Sequence, residues 1–178
     1  MLHLVRPRAC LSALLIAAIV AGSACGPAAG PAVAGPGLAT VERVVDGDTL
    51  SVRLAGRTER VRLLGIDTPE SVKAETPVEC FAKEAAARLS ALLPRYVAVR
   101  LVRDVEERDR YGRLLAYVYR QPDDLFVNLD MVRGGFAQLL TYPPNVAHAD
   151  ELRRAAGDAR RAGRGLWGSC PAAASLPP

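Results

Sequence analysis

Histidine is nearly missing from this chain. Of 178 residues only two are His, and His3 precedes a run that reads as an export segment, so His148 stands alone in the remainder. A Ser–His–Asp or Cys–His arrangement would have to use that one imidazole, which falls at the start of an expected helix; zinc hydrolases need several His ligands. Cysteine is scarce too. There are four, at positions 10, 25, 80 and 170, with no CxxC pair to nucleate a zinc site. Lysine is confined to Lys73 and Lys83; every other basic residue is Arg, which reads as coding bias and also suits bidentate contacts to phosphate. No large excess of one charge exists. The formal net charge is +4, and without Arg6 and Arg8 the balance is 21 basic against 19 acidic residues. A global field that steers anions is therefore weak, and attraction for nucleic acid must come from local clusters. The chemistry left open runs on carboxylates, arginines and a hard metal ion.

The N-terminus has its own composition. Residues 1–34 read as a signal peptide followed by a Gly/Pro/Ala-rich linker: Arg6 and Arg8, then an uncharged apolar run from Cys10 to Ala21, then an A-x-A site at Ala32-Val33-Ala34. The run is too short to span a bilayer as a helix. Val20-Ala21-Gly22-Ser23-Ala24-Cys25 also resembles a bacterial lipoprotein box, although Gly22 stands where such boxes carry Leu or Val. Free secretion and a lipid anchor to the cell envelope through Cys25 both stay open. Cys10 leaves with the signal, and Cys25 leaves or carries lipid. Cys80 and Cys170 then remain as one pair in an oxidising setting, which predicts a disulfide.

The rest reads as one domain over 38–170, with a disordered tail at 171–178. Thr40–Val45, Leu50–Leu54 and Arg60–Ile66 alternate as strands around tight turns at Asp46-Gly47-Asp48 and Ala55-Gly56. Thr76-Pro77-Val78-Glu79 has the pattern of a capping box opening a helix, with Phe81, Ala85, Leu89, Leu92 and Leu93 on one face and Pro94 closing it. Tyr96–Val102 and Leu114–Tyr119 are the fourth and fifth strands. A short helix over Val127–Arg133 stops at Gly134-Gly135, and a last helix runs from about Ala147 to Ala162. Its arginines at 153, 154, 160 and 161 read as a solvated face, and Trp167 reads as a plug over the barrel end. Five strands with a helix between the third and fourth give the fold class: α+β, mainly β, a five-stranded OB-fold barrel with three helices. Such barrels bind oligonucleotides or oligosaccharides on one face.

Three segments concentrate reactive groups: Asp46-Gly47-Asp48-Thr49, Arg62-Leu63-Leu64-Gly65-Ile66-Asp67-Thr68-Pro69-Glu70 and Asp109-Arg110-Tyr111-Gly112-Arg113. Each alone is an ordinary turn or strand end. Together they place acids and arginines at strand ends that a closed barrel can bring together. Asp48 and Asp67 offer hard oxygens to a calcium ion, which accepts carboxylates, a backbone carbonyl and waters in irregular geometry. Arg62 and Arg113 can fork onto phosphate oxygens. Glu70 can take a proton from an attacking water.

In this order and spacing the segments resemble the staphylococcal-nuclease-like (thermonuclease) family from about Val41 to Trp167. The resemblance implies Arg62 and Arg113 as catalytic arginines, Glu70 as general base, and Asp48, Asp67 and the Thr68 carbonyl as Ca2+ ligands. Asp46 and Thr49 would support the metal shell, and Arg110 and Tyr111 would contact substrate. Asn128, Arg133 and His148 would be structural. Relatives line the nucleotide pocket with closely spaced tyrosines; Leu139-Leu140-Thr141-Tyr142-Pro143-Pro144 keeps only Tyr142 as a substrate contact. The Cys80–Cys170 pair resembles an addition found in other exported relatives. The implied activity is a monomeric, exported, calcium-dependent endonuclease. It would cut single-stranded or frayed DNA and RNA with little sequence preference and leave 3′-phosphate ends. The alternative is a non-catalytic OB-fold module that only binds nucleic acid.

Overall fold

A computed structural model describes residues 37–70 and 78–170. The signal and linker at 1–34, the lipoprotein-box Cys25, the helix-opening Thr76-Pro77 and the tail at 171–178 lie outside the described residues.

The strands are β1 (Leu38–Val44), β2 (Thr49–Leu54), β3 (Arg57–Leu63), β4 (Ile66–Asp67), β5 (Ala98–Val102), β6 (Leu114–Arg120), β7 (Leu125–Phe126) and β8 (Gln138–Leu139). The helices are α1 (Ala82–Leu92), α2 (Val127–Arg133), α3 (Ala149–Arg161) and the single turn α4 (Leu166–Ser169). β1, β2 and β3 form the expected antiparallel meander, β5 pairs with β1, and β6 pairs with β5. The sheet then closes through a parallel pairing of β3 with β6, with Val61 opposite Leu114 and Arg62 opposite Leu115. Closure leaves a five-stranded barrel with no long exposed edge. Among the described residues no helix is long and apolar enough to cross a membrane.

Alternation along each strand sends one set of side chains inward. Val41, Leu50, Val52, Val61, Val99 and Val118 are fully buried there. Ala85 and Leu89 carry α1 onto the same core, and Leu152 does so for α3. α2 is locked more specifically. The fully buried Asn128 accepts the Val118 N–H at 2.9 Å and donates to the Leu64 and Ala116 carbonyls at 2.9 and 3.4 Å. His148 precedes α3 and packs edge-on to Tyr117, ring centroids 4.5 Å apart, a structural placement. Arg133 lies exposed at the end of α2, and its carbonyl accepts a bond from Arg164.

Several expectations need correction. The helix after the third strand begins at Ala82, not at Pro77. Phe81 has φ 69°, a left-handed conformation that interrupts a helix, and Val78 and Glu79 are not helical. The Glu79 carboxylate accepts the Glu70 N–H at 3.0 Å. The third strand does not run through to Ile66. It breaks at Leu64-Gly65, where Gly65 takes φ 77°, and β4 leaves the barrel to pair with β8. Trp167 joins Leu166, Cys170 and Phe81 in a cluster separate from the barrel core, and so does not plug the barrel end. The Cys80–Cys170 disulfide is present across a sequence separation of 90. Closing so long a loop contributes roughly 2–4 kcal/mol by restricting the unfolded chain.

Candidate active site

The site is built where β1 turns into β2. Val45 and Asp46 donate their N–H groups to the Thr49 carbonyl, at 2.8 and 3.2 Å, and Asp48 donates its own to Asp46 Oδ1 at 3.0 Å. Gly47 sits at the tip for a steric reason. A Cβ there would lie 2.6 Å from Thr68 Oγ1 and 2.9 Å from Ala85 Cβ. The turn is thereby pressed against the segment that β4 carries in.

Asp48 is the centre of the arrangement and is only 6% exposed. Its Oδ2 accepts the Thr68 N–H at 3.0 Å and the Thr68 hydroxyl at 3.1 Å, while Oδ1 accepts the Thr49 hydroxyl at 3.1 Å. Arg62 Nη2 reaches Asp48 Oδ2 at 3.1 Å and Asp67 Oδ1 at 2.8 Å. Arg62 Nη1 donates to the Leu63 and Ile66 carbonyls at 2.9 and 2.8 Å, which anchors the guanidinium at the strand break. Burial pushes the Asp48 carboxyl up to about 6; the Arg62 charge opposes this, and Asp46 and Asp67 add to it. One guanidinium thus bridges Asp48 and Asp67, and Asp46 stands beside Asp48.

Among the described residues no three His, Cys, Asp or Glu side chains converge as metal ligands. The candidate set is two carboxylates within reach of the same Arg62 nitrogen, with the Thr68 backbone beside them. Hard carboxylate and carbonyl oxygens suit calcium. The donor set fits.

The second arginine is held from below. Asp109 Oδ2 accepts Arg113 Nε at 2.6 Å, while Oδ1 accepts the N–H groups of Tyr111 and Arg113, both at 2.9 Å. Burial raises the Asp109 carboxyl, but the Arg113 side-chain and backbone bonds outweigh it and hold it below the usual range. Arg62, Arg110, Tyr111, Arg113 and Tyr142 all border one cavity of about 350 Å³. Tyr111 and Tyr142 are 69% and 70% exposed, so both rings are open to a ligand, and Leu140 lies on the same wall. Asn145 joins the two walls. Its Oδ1 accepts the Glu106 N–H at 2.8 Å, and its Nδ2 donates to the Glu106 carbonyl at 3.1 Å.

The structure therefore gathers Asp46, Asp48, Thr49, Asp67, Thr68 and Arg62 into one cluster, and Arg62 shares a cleft with Arg110, Tyr111, Arg113 and Tyr142. Glu70 lies half-buried two residues beyond Thr68, bonded to Glu79. Sequence reasoning missed Asp109, Asn145 and Glu79. Asp109 was visible as the first residue of its motif, in the Asx position of a turn. Asn145 and Glu79 act across long sequence separations and leave no local mark.

Acids and arginines around an open cleft at one end of a closed barrel define a hydrolase that works on phosphate esters. Comparison with known proteins makes this specific. Residues 60–169 match the family described as staphylococcal nuclease homologue. The thermonuclease of Staphylococcus intermedius is 40% identical over 127 residues, covering 71% of this chain and 74% of that protein. That of Staphylococcus hyicus is 37% identical over 127 residues, covering 71% and 73%. Endonuclease YncB of Bacillus subtilis (strain 168) is 33% identical over 129 residues, covering 72% and 60%. The chain belongs to the staphylococcal nuclease homologue family, and it is a nuclease, a hydrolase acting on nucleic acid.

Proposed function

We propose that this protein is an exported, calcium-dependent endonuclease that hydrolyses phosphodiester bonds in DNA and RNA with little sequence preference. The observation that supports this most is the sharing of Arg62 between the buried Asp48 and the cleft that also holds Arg113. A site so built offers a cation position and a phosphate clamp side by side. Asp48, Asp67 and the Thr68 carbonyl would hold the calcium, with Thr49 fixing the Asp48 carboxylate and Asp46 accepting the Asp48 backbone N–H. A calcium ion held there would supply positive charge that offsets the charge growing on the phosphate.

The chain's own groups do the rest. Arg113, steadied through Nε by Asp109, presents its terminal nitrogens to the phosphate oxygens. Arg62 faces the same phosphate from the acid side. Both favour the transition state, in which charge on those oxygens grows. Glu70 accepts a proton from the attacking water. Tyr111 and Tyr142 offer stacking faces, and Arg110 adds a phosphate contact. Stacking on an aromatic ring contributes about 1–3 kcal/mol per base. Leu140 on the same wall gives apolar contact without a second ring there, which favours looser nucleotide binding and little base preference.

The test is digestion of denatured DNA and of RNA by the purified mature protein. Cleavage with calcium, none with a chelator, and loss in Arg113→Ala is the expected pattern. Full cleavage in the presence of chelator would refute the metal assignment, and no cleavage with calcium would refute the activity. Mass spectrometry of the mature N-terminus separates lipid on Cys25 from cleavage near Ala34.

A further inference from the structure

The bonds at Glu70 lead away from the acid cluster. Its N–H donates to Glu79 Oε2 at 3.0 Å, and its carbonyl accepts the Glu79 N–H at 3.2 Å. Glu79 therefore grips the Glu70 backbone from both sides. The next residue, Cys80, is bridged to Cys170. Cys170 is buried at the end of α4, donates its N–H to the Leu166 carbonyl at 2.9 Å and packs with Phe81 and Trp167. Leu166 in turn donates to the Gly135 carbonyl at 2.9 Å, just past α2. A continuous line of bonds thus runs from the helical layer, through the disulfide, to the backbone of Glu70.

We propose that Glu79 is a positioning residue for Glu70 and that the Cys80–Cys170 disulfide anchors it, so that breaking this remote bond lowers the rate of hydrolysis. The inference rests on Glu70 being the general base. On the N-terminal side of Glu70, Thr68 is held by Asp48. Losing the two Glu79 bonds lets the Glu70 backbone shift, and a displacement of about 1 Å can cost on the order of a hundredfold in rate. The Glu79 carboxylate gives the Glu70 N–H a charge-assisted acceptor, stronger than a neutral one. A dithiol reductant opens the bridge by thiol–disulfide exchange. Two electrons and two protons pass to the protein sulfurs, leaving two Cys thiols and the reductant's own disulfide.

The experiment measures kcat and KM on denatured DNA with calcium for the full mature chain. The variants are Glu79→Ala, Glu79→Gln and Cys80→Ser/Cys170→Ser, each made with Glu70 intact and with Glu70→Gln. With Glu70 intact, Glu79→Ala lowers kcat about ten- to a hundredfold and leaves KM within about twofold. Glu79→Gln, whose amide oxygen can still accept the N–H, restores most of the rate. The double Cys variant, and the oxidised protein after dithiol treatment, lose about three- to tenfold while circular dichroism shows them folded. On the Glu70→Gln background all of these losses vanish. Wild-type kcat in Glu79→Ala beside an impaired Glu70→Gln would overturn the inference alone, as would an equal loss in both backgrounds. A fully active Glu70→Gln would overturn the base assignment, and the inference with it.

Discussion

Asp48→Asn should make the metal-free protein more stable at neutral pH while destroying its activity. The Asp48 carboxyl titrates near 6 in the folded chain against an ordinary 3.8, first because it is buried and also because Asp46 and Asp67 stand beside it. A raised folded-state value means the fold favours the neutral acid. Its advantage is complete below about pH 4 and is lost as pH rises through 6. The shift of roughly two units corresponds to about 3 kcal/mol of destabilisation above pH 7. Asparagine carries no charge at any pH. Its oxygen can accept from Thr68, and its amide can donate to the Thr49 hydroxyl, so most of the local bonds have a replacement. The assay is urea unfolding of wild type and Asp48→Asn in chelator across pH 4 to 8. The stability difference should be small at pH 4 and grow to about 3 kcal/mol in favour of Asn above pH 7. Excess calcium should then restore the wild type and leave the variant unmoved. A difference that stays constant with pH, or an Asn variant that is weaker at pH 8 without metal, would refute the reasoning.

Two further outcomes follow from single side chains. Asn128→Ala strands the buried Val118 N–H and Leu64 carbonyl; at about 1–3 kcal/mol for each unpaired group, the denaturation midpoint should fall well below wild type, and a loss of unfolding free energy under about 0.5 kcal/mol would contradict the bonding described. Asp109→Ala frees Arg113 Nε and two turn N–H groups and should lower kcat/KM about ten- to a hundredfold with a small change in melting temperature; wild-type kinetics beside an inactive Arg113→Ala would show that Asp109 does not orient the arginine.

What could be read from the sequence was what lies within a short window. Alternation located the strands that make the barrel. The paired glycines located the end of α2, read as Val127–Arg133, and the scarcity of His directed attention to acids and arginines. The start of α1 lies later than the local capping pattern of Thr76 to Glu79 suggests, because Phe81 turns left-handed and α1 begins at Ala82. The break at Gly65 was hidden for a similar reason. The apolar run from Leu63 to Ile66 looks like continuous strand, and only the pairing of Ile66 with Leu139 draws it away. Asn145 shows the same limit, since its two bonds to Glu106 span 39 positions.

The parallel closure of the barrel has a consequence for how the enzyme fails. Arg62 stands on β3 and Arg113 directly precedes β6, at the one place where the sheet zips onto itself, Val61 against Leu114. If that zip parts first under heat or denaturant, the two guanidinium groups separate while the meander and α3 still hold together. Catalysis would then fade ahead of bulk unfolding, and the enzyme would report the integrity of that joint.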